Sequence, residues 1–304
     1  MFIDHLTERN INGSLQRVRV CAARPDLPPL LVIQAGPGLP LLHEVPKLQR
    51  GLRLEERFTV HYWEQRGCGP ASRRDAESCD LDRQIDDLGA WLRHIRRETS
   101  QEVTLLGISL GATVALMAAG GGMQGIRAIV AVSPDLKFPD VDLAVADYLL
   151  GNATPGQLPK LKKLGAPPYL EPARFQQRAQ LLADAGAIRR GKSFLSLAGE
   201  MILDLLKTYG LMGTLRSLRN MSRVQRRMLP ELVELDVLPD LPRIACPVHY
   251  VVSPRDPFLP PDILDKLESM AEAKGHALTL VPEARHMVHL DCPEAVRSIL
   301  LGIG

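Results

Sequence analysis

Cysteine is sparse in this 304-residue chain, and what there is does not cluster. Cys21, Cys68, Cys79, Cys246 and Cys292 are odd in number and never form Cys-x-x-Cys. That excludes a disulfide framework and a zinc or dithiol motif, and it suits a reducing compartment. Charge of one sign is missing too. The formal net charge of +2 is too small to imply nucleic acid or a membrane surface as partner. No apolar run approaches the roughly 20 residues that cross a bilayer. The opening Met-Phe-Ile-Asp-His-Leu-Thr-Glu-Arg lacks the basic-then-apolar order of a secretory signal, so the expected location is cytoplasmic. There is no internal repeat and no low-complexity segment. What remains is an ordinary globular balance, 45% hydrophobic and 24% charged, in a chain long enough for one large α/β domain or two small ones.

The informative stretch is Val103-Thr104-Leu105-Leu106-Gly107-Ile108-Ser109-Leu110-Gly111-Ala112. It begins as a β-branched apolar run, passes through Gly-x-Ser-x-Gly, and continues as the helix-forming Ala-Thr-Val-Ala-Leu-Met-Ala-Ala. Strand, tight turn and helix in that order form a nucleophile elbow. Gly107 and Gly111 stand where a Cβ would collide with strand or helix. Ser109 Oγ is expected at the strand's C-terminal end, over a helix N-terminus that favours developing negative charge.

Around this stretch the pattern alternates. Strands are expected at 2–7 and 15–22, joined by the hairpin signal Asn12-Gly13, then at 30–34, 58–63, 103–108 and 128–132. Helices are expected at 41–56, 81–97 and after the elbow to about residue 119. This is an α/β chain with a mostly parallel, doubly wound sheet, whose sites lie beyond the C-terminal strand ends. The alternation stops after Pro134. Residues 136–243 show helical patterns, at 140–150, 171–185, 193–209 and 211–227, and no strand. The α/β pattern resumes with strands at 248–252 and 277–281 and helices at 261–273 and 293–301. The division is therefore a core of residues 1–135 and 244–304 and a helical cap of residues 136–243.

A serine nucleophile needs a base and an orienting acid, which in this topology follow in the order acid, then histidine. Asp256 lies just past the strand ending at Val252. His286 lies just past the strand ending at Val281, 30 residues later, room for one helix and one strand. Their rivals are Asp135, at the end of the strand before the cap, and His289. The oxyanion hole requires two backbone N–H groups, assigned to Leu110 and to Gly36 in the loop Ala35-Gly36-Pro37-Gly38. Cys68 has no paired histidine at motif spacing and is read as part of a buried turn. No metal and no organic cofactor is implied.

Four motifs in order, Gln34-Ala35-Gly36-Pro37-Gly38, Trp63-Glu64-Gln65-Arg66-Gly67-Cys68-Gly69, Gly107-Ile108-Ser109-Leu110-Gly111 and His286-Met287-Val288-His289-Leu290, resemble the proline iminopeptidase branch of the α/β-hydrolase superfamily. The resemblance implies Ser109, Asp256 and His286 as a triad beneath a helical cap. Three features depart from it. Gln34-Ala35 replaces the usual His-Gly of the oxyanion loop, Glu64 replaces aspartate, and Leu110 stands where tryptophan is usual. An aminopeptidase must hold a substrate ammonium with cap carboxylates, and Glu200 in Leu197-Ala198-Gly199-Glu200 is the named candidate. Yet residues 137–243 carry 16 basic and 11 acidic residues, a net of +5 against −3 for the rest. Arg216, Arg219, Arg223, Arg226 and Arg227 fall on one helical stripe, a solvated face or a site for an anionic partner. The expected function is a serine hydrolase acting on a small-molecule or short-peptide substrate. A carboxylesterase or lactonase is the alternative, and a non-catalytic ligand-binding relative the third. Activated esters are expected to be hydrolysed faster than N-terminal prolyl amides.

Overall fold

The computed structural model describes residues 2–303. The core begins with β1 (Ile3–Ile11), β2 (Ser14–Ala22), β3 (Pro29–Ile33), α1 (Val45–Leu52), β4 (Thr59–Glu64), α2 (Arg73–Glu77) and α3 (Leu81–Thr99). It continues through β5 (Val103–Ile108), α4 (Leu110–Gly120) and β6 (Ile126–Val132). Four helices follow: α5 (Phe138–Asn152), α6 (Leu158–Leu164), α7 (Pro172–Asp184) and α8 (Phe194–Leu232). The chain closes with β7 (Val248–Val252), α9 (Pro261–Lys274), β8 (Ala277–Leu280), α10 (Val288–Asp291) and α11 (Pro293–Ile303).

The eight strands form one sheet in the order β1-β2-β4-β3-β5-β6-β7-β8. Only β2 runs against its neighbours, pairing antiparallel with β1 and β4; every other pair is parallel. Parallel central strands are covered on both faces, so they read as continuous apolar runs. Alternate residues go to opposite layers. Leu31, Ile33, Leu105, Ile129 and Tyr250 pack with α3, α4 and α9, whereas Leu30, Val32, Leu106, Val130 and Val251 pack with α1 and α11.

The structure adjusts several expected elements. The first strand runs on to Ile11, because the Asn12-Gly13 turn lets all of β1 pair with β2, Ile11 opposite Ser14. The expected helix at 41–56 shortens to Val45–Leu52. Pro46 sits in its first turn, where a missing N–H costs nothing, and Arg53 ends it in a left-handed conformation. The short helices α2 and α6 had no expectation; five and seven residues carry little periodicity. The two helices expected at 193–209 and 211–227 meet at Gly210, whose backbone (φ 65°) is not helical, and the second runs on to Leu232.

The inserted helices leave and rejoin the sheet side by side. Lys137 bridges Asp236, with Phe138 N–H donating to the Leu235 carbonyl (2.9 Å) and Val237 N–H to that of Leu136 (2.8 Å). The insertion has a small core of its own, built on Val141, Val145, Leu149, Tyr169 and Leu182.

Under the sheet edge lies a buried polar hub. Arg66 grips Asp87 with two hydrogen bonds of 2.8 Å. Gln16 donates to the same carboxylate (2.5 Å) and accepts from the indoles of Trp63 (2.7 Å) and Trp91 (3.0 Å). Both charged side chains are almost fully buried. Removing one partner strands the other charge, at a cost of about 3–5 kcal/mol. Asp87→Ala is therefore expected to lose about that much stability in urea unfolding; a loss under about 1 kcal/mol contradicts a hub role.

Candidate active site

Every strand that feeds the site ends at the same edge of the sheet. Between β5 and α4, Ser109 takes φ 51° and ψ −124°, a conformation that L-residues hold only when their surroundings impose it. The imposing contacts are steric. A Cβ on Gly107 would come within 2.4 Å of Ala112 Cα, and one on Gly111 within 2.4 Å of the Ile33 and Gln34 carbonyl oxygens. Ser109 N–H is tied to the Val132 carbonyl at 2.8 Å. The hydroxyl thus projects from a turn fixed by β3, β5 and β6 together.

His286, Asp256 and Ser109 converge. Ser109 Oγ lies 3.0 Å from His286 Nε2, and His286 Nδ1 lies 2.8 Å from Asp256 Oδ2. The second Asp256 oxygen accepts the Phe258 N–H (2.9 Å), and the Phe258 ring stacks on the imidazole, with centroids 4.3 Å apart. The histidine loop is pinned by the segment between α7 and α8: His286 N–H donates to the Ala187 carbonyl (3.2 Å) and Met287 N–H to that of Ile188 (3.0 Å).

The electrostatics suit a base. Burial alone would lower the His286 pKa, but the charge and hydrogen bond of Asp256, joined by the charge of Asp135, outweigh it and raise the pKa above 6.5. Asp135 also approaches Ser109, its Oδ2 3.3 Å from Ser109 Oγ. Burial, opposed by the charge of His286 and supported by that of Asp256, lifts its pKa to about 6. His289, the other histidine of the motif, is buried with neither ring nitrogen partnered. Burial and the neighbouring His286 depress its pKa to about 3, which keeps it neutral. The Cys68 thiol is buried, which pushes its pKa far up and leaves it un-ionised.

Leu110 opens α4, where an N–H has no intrahelical acceptor. Gly36 lies directly over it, since a Cβ there would be 3.1 Å from Leu110 Cδ2. Gln34 explains how this loop is held without the family's histidine: its side-chain amide donates to the Leu39 carbonyl and accepts the Gln65 N–H (3.2 Å). Glu64 is buried and accepts from the Tyr209 hydroxyl of α8 and from Leu42 N–H, so this motif braces the loop and the cap.

A cavity of about 710 Å³ opens in front of Ser109, between the sheet edge and the inserted helices, lined mainly by apolar side chains such as Leu39, Phe138, Phe194, Met201 and Leu290. Glu200 also lines it and is already paired. Lys192 Nζ is 2.6 Å from one oxygen, and Arg189 (3.3 Å) and Lys47 (3.6 Å) approach the other. Of the arginine stripe, Arg227 is bound to Asp80 and Glu231, Arg223 reaches Asn220, and Arg216, Arg219 and Arg226 face solvent. Among the described residues no group of three or more His, Cys, Asp or Glu converges as a metal site.

With the fold and these distances in place, comparison with known proteins becomes specific. The family model described as "Alpha/beta hydrolase family" matches residues 36–299. The chain belongs to the alpha/beta hydrolase family. This alpha/beta hydrolase is 21% identical to the "Probable aminopeptidase YbaC" of Bacillus subtilis strain 168, over 97% of this chain and 94% of that one. Its fold is similar to that of a proline iminopeptidase-related protein from Thermus thermophilus (TM-score 0.67, 22% identity, covering 99% and 97% of the two chains). It is similar also to that of an enol-lactonase from Burkholderia xenovorans (TM-score 0.62, 14% identity, 98% and 99%). At these identities the solved structures speak to the fold alone.

The raised His286 pKa generates a test. If His286 acts as base it must be neutral, so activity is lost as pH falls through a pKa above 6.5. Asp256→Asn removes the raising charge, and the acid limb of the kcat/KM profile is expected to move to lower pH while kcat falls about 10³-fold or more. Asp135→Asn and His289→Ala are expected to lower kcat far less. An unmoved limb, or a reversed ranking, excludes this assignment.

Proposed function

We propose that this alpha/beta hydrolase is a serine hydrolase that cleaves a small ester, amide or peptide bond through an acyl-enzyme. The observation that carries the reading is the unbroken relay from Ser109 through His286 to Asp256. In this mechanism His286 takes the Ser109 proton as Oγ attacks the carbonyl carbon, and returns it to the leaving group. It then draws a proton from the water that releases the acyl group. Asp256 holds the imidazole by Nδ1 and stabilises its charged form. The N–H groups of Gly36 and Leu110 receive the developing oxyanion, and the apolar cavity wall excludes water from that charge. The substrate is a small molecule or short peptide that fits the cavity.

Between the two hydrolase readings, proline iminopeptidase-like and esterase or lactonase, the state of Glu200 favours the ester side. Three cations already surround that carboxylate, which leaves it little capacity for a substrate ammonium. Ser109→Ala is expected to abolish turnover of 4-nitrophenyl butyrate, by about 10³-fold or more in kcat, with an unchanged circular dichroism spectrum; activity within about tenfold of wild type removes Ser109 from the mechanism. With the intact enzyme, kcat/KM for 4-nitrophenyl butyrate is expected to exceed that for proline-naphthylamide, and Glu200→Gln to alter both by less than about threefold. Selective loss of the prolyl amide on Glu200→Gln reverses the reading in favour of an iminopeptidase anchored at Glu200.

A further inference from the structure

A surface helix of a globular protein normally turns its polar side outward. The helix α8 does not. In its first half, Phe194, Leu197 and Met201 line the cavity. Yet Leu195, Ile202 and Leu206, spaced i, i+7 and i+11, are exposed, with Leu203 beside them. That half is apolar toward the cavity and toward solvent alike. Beyond Gly210 the exposed face changes along its length. Leu211 is 65% and Met212 73% exposed, and Leu215 follows one turn later, also exposed. Arg219, Ser222 and Arg226 continue the stripe of Leu211 and Leu215 at helical spacing. Leu215, Leu218, Arg219, Ser222, Arg223 and Arg226 share one open groove, so the apolar and basic parts of this face adjoin.

The charge on this face is of one sign. Between Asp204 and Glu231 the sequence holds six basic residues and no acidic one. Arg227 is taken by Asp80 and Glu231, whereas Arg216, Arg219 and Arg226 stand in solvent. Cations three and four residues apart on a helix repel one another, and no carboxylate within that stretch offsets them. The net charge of +2 averages over the whole chain and conceals this local excess.

We propose that α8 docks this protein on an anionic phospholipid surface. Leu211, Met212 and Leu215 enter the headgroup layer, and Arg216, Arg219 and Arg226 pair with lipid phosphates. An exposed apolar patch rimmed by cations is what such a surface recognises: acyl chains receive the first and phosphates the second. The long arginine stems lie along apolar surface while their heads reach the phosphates. The apolar part is mostly leucine, which seldom anchors protein interfaces. A second copy meeting this face two-fold would set the arginines against a face equally without acids. The docking face is separate from Ser109, His286 and Asp256, so it stands or falls independently of the serine chemistry.

Cosedimentation with phospholipid vesicles tests the proposal. Vesicles of phosphatidylcholine with about 30% phosphatidylglycerol are expected to bind the wild-type protein about tenfold tighter or more than phosphatidylcholine alone. Raising NaCl from about 0.1 M to about 0.5 M is expected to remove most of that difference. Arg216→Gln, Arg219→Gln and Arg226→Gln together are expected to weaken binding to the anionic vesicles by about 10²-fold. Leu211→Ser with Met212→Ser is expected to weaken it by about tenfold or more. All five side chains are exposed, so an unchanged circular dichroism spectrum is expected from both variants. Ser109→Ala is expected to bind as wild type does, so the hydrolase reading and the docking face fail separately. No binding to the anionic vesicles, or equal binding to both kinds, overturns the proposal. So does a loss confined to the arginine variant, which is adsorption by charge alone. Polyglutamate bound as tightly as the anionic vesicles assigns the face to an acidic protein. A dimer in lipid-free sedimentation velocity that Leu211→Ser with Met212→Ser disperses assigns it to a second copy. Either result overturns the membrane as partner.

Discussion

The contact on which the rest depends is the one that leaves no room for a side chain at residues 107 and 111. At Gly107 the end of β5 meets the first turn of α4, and at Gly111 that turn meets the carbonyls of Ile33 and Gln34. Because α4 is pressed so close, one short segment sets three features of the site. It forces Ser109 into its strained turn, sets Leu110 under the Gly36 loop, and carries Thr113 to the backbone of Asp135. A side chain at either glycine would displace all three, which is why the chain keeps glycine at both.

The second constraint is that the His286 loop is held in part by the inserted helical segment. The loop bearing His286 hangs from backbone carbonyls of residues 187 and 188, and Asp291 accepts from the N–H groups of Arg190 and Arg285. The insertion therefore lines part of the cavity and also holds the loop that bears the His286 imidazole. Lys47, Arg189 and Lys192 cluster around Glu200 and Asp204, so both carboxylates are already paired.

The motif Trp63-Glu64-Gln65-Arg66 has a different task. None of its charged side chains reaches Ser109. Arg66 holds Asp87 and the backbone carbonyls of Ile11 and Asn12, and Glu64 receives Tyr209 from the cap. These bonds lock the β1–β2 hairpin, the loop after β4 and the cap onto one another. The arginine stripe of α8 is likewise divided between docking, at Arg227, and solvent.

Local pattern is enough to establish the α/β alternation, the elbow and the strand-end positions of residues 256 and 286. Each of these is written in neighbouring residues: period two, period 3.6, or glycines at fixed spacing around a serine. Short helices such as α2 and α6 stayed illegible because five to seven residues carry too little of a period. What each polar side chain faces was settled by folding alone. Glu200 looked free in the sequence, and the three cations around it come from residues 47, 189 and 192. Asp135 looked like a lesser rival to Asp256, and it is the fold that sets it 3.3 Å from Ser109 with one oxygen unpaired. The reason is physical: the elbow is built from neighbours in the chain, whereas the charge and hydrogen bonding of a buried carboxylate depend on groups that only folding brings together.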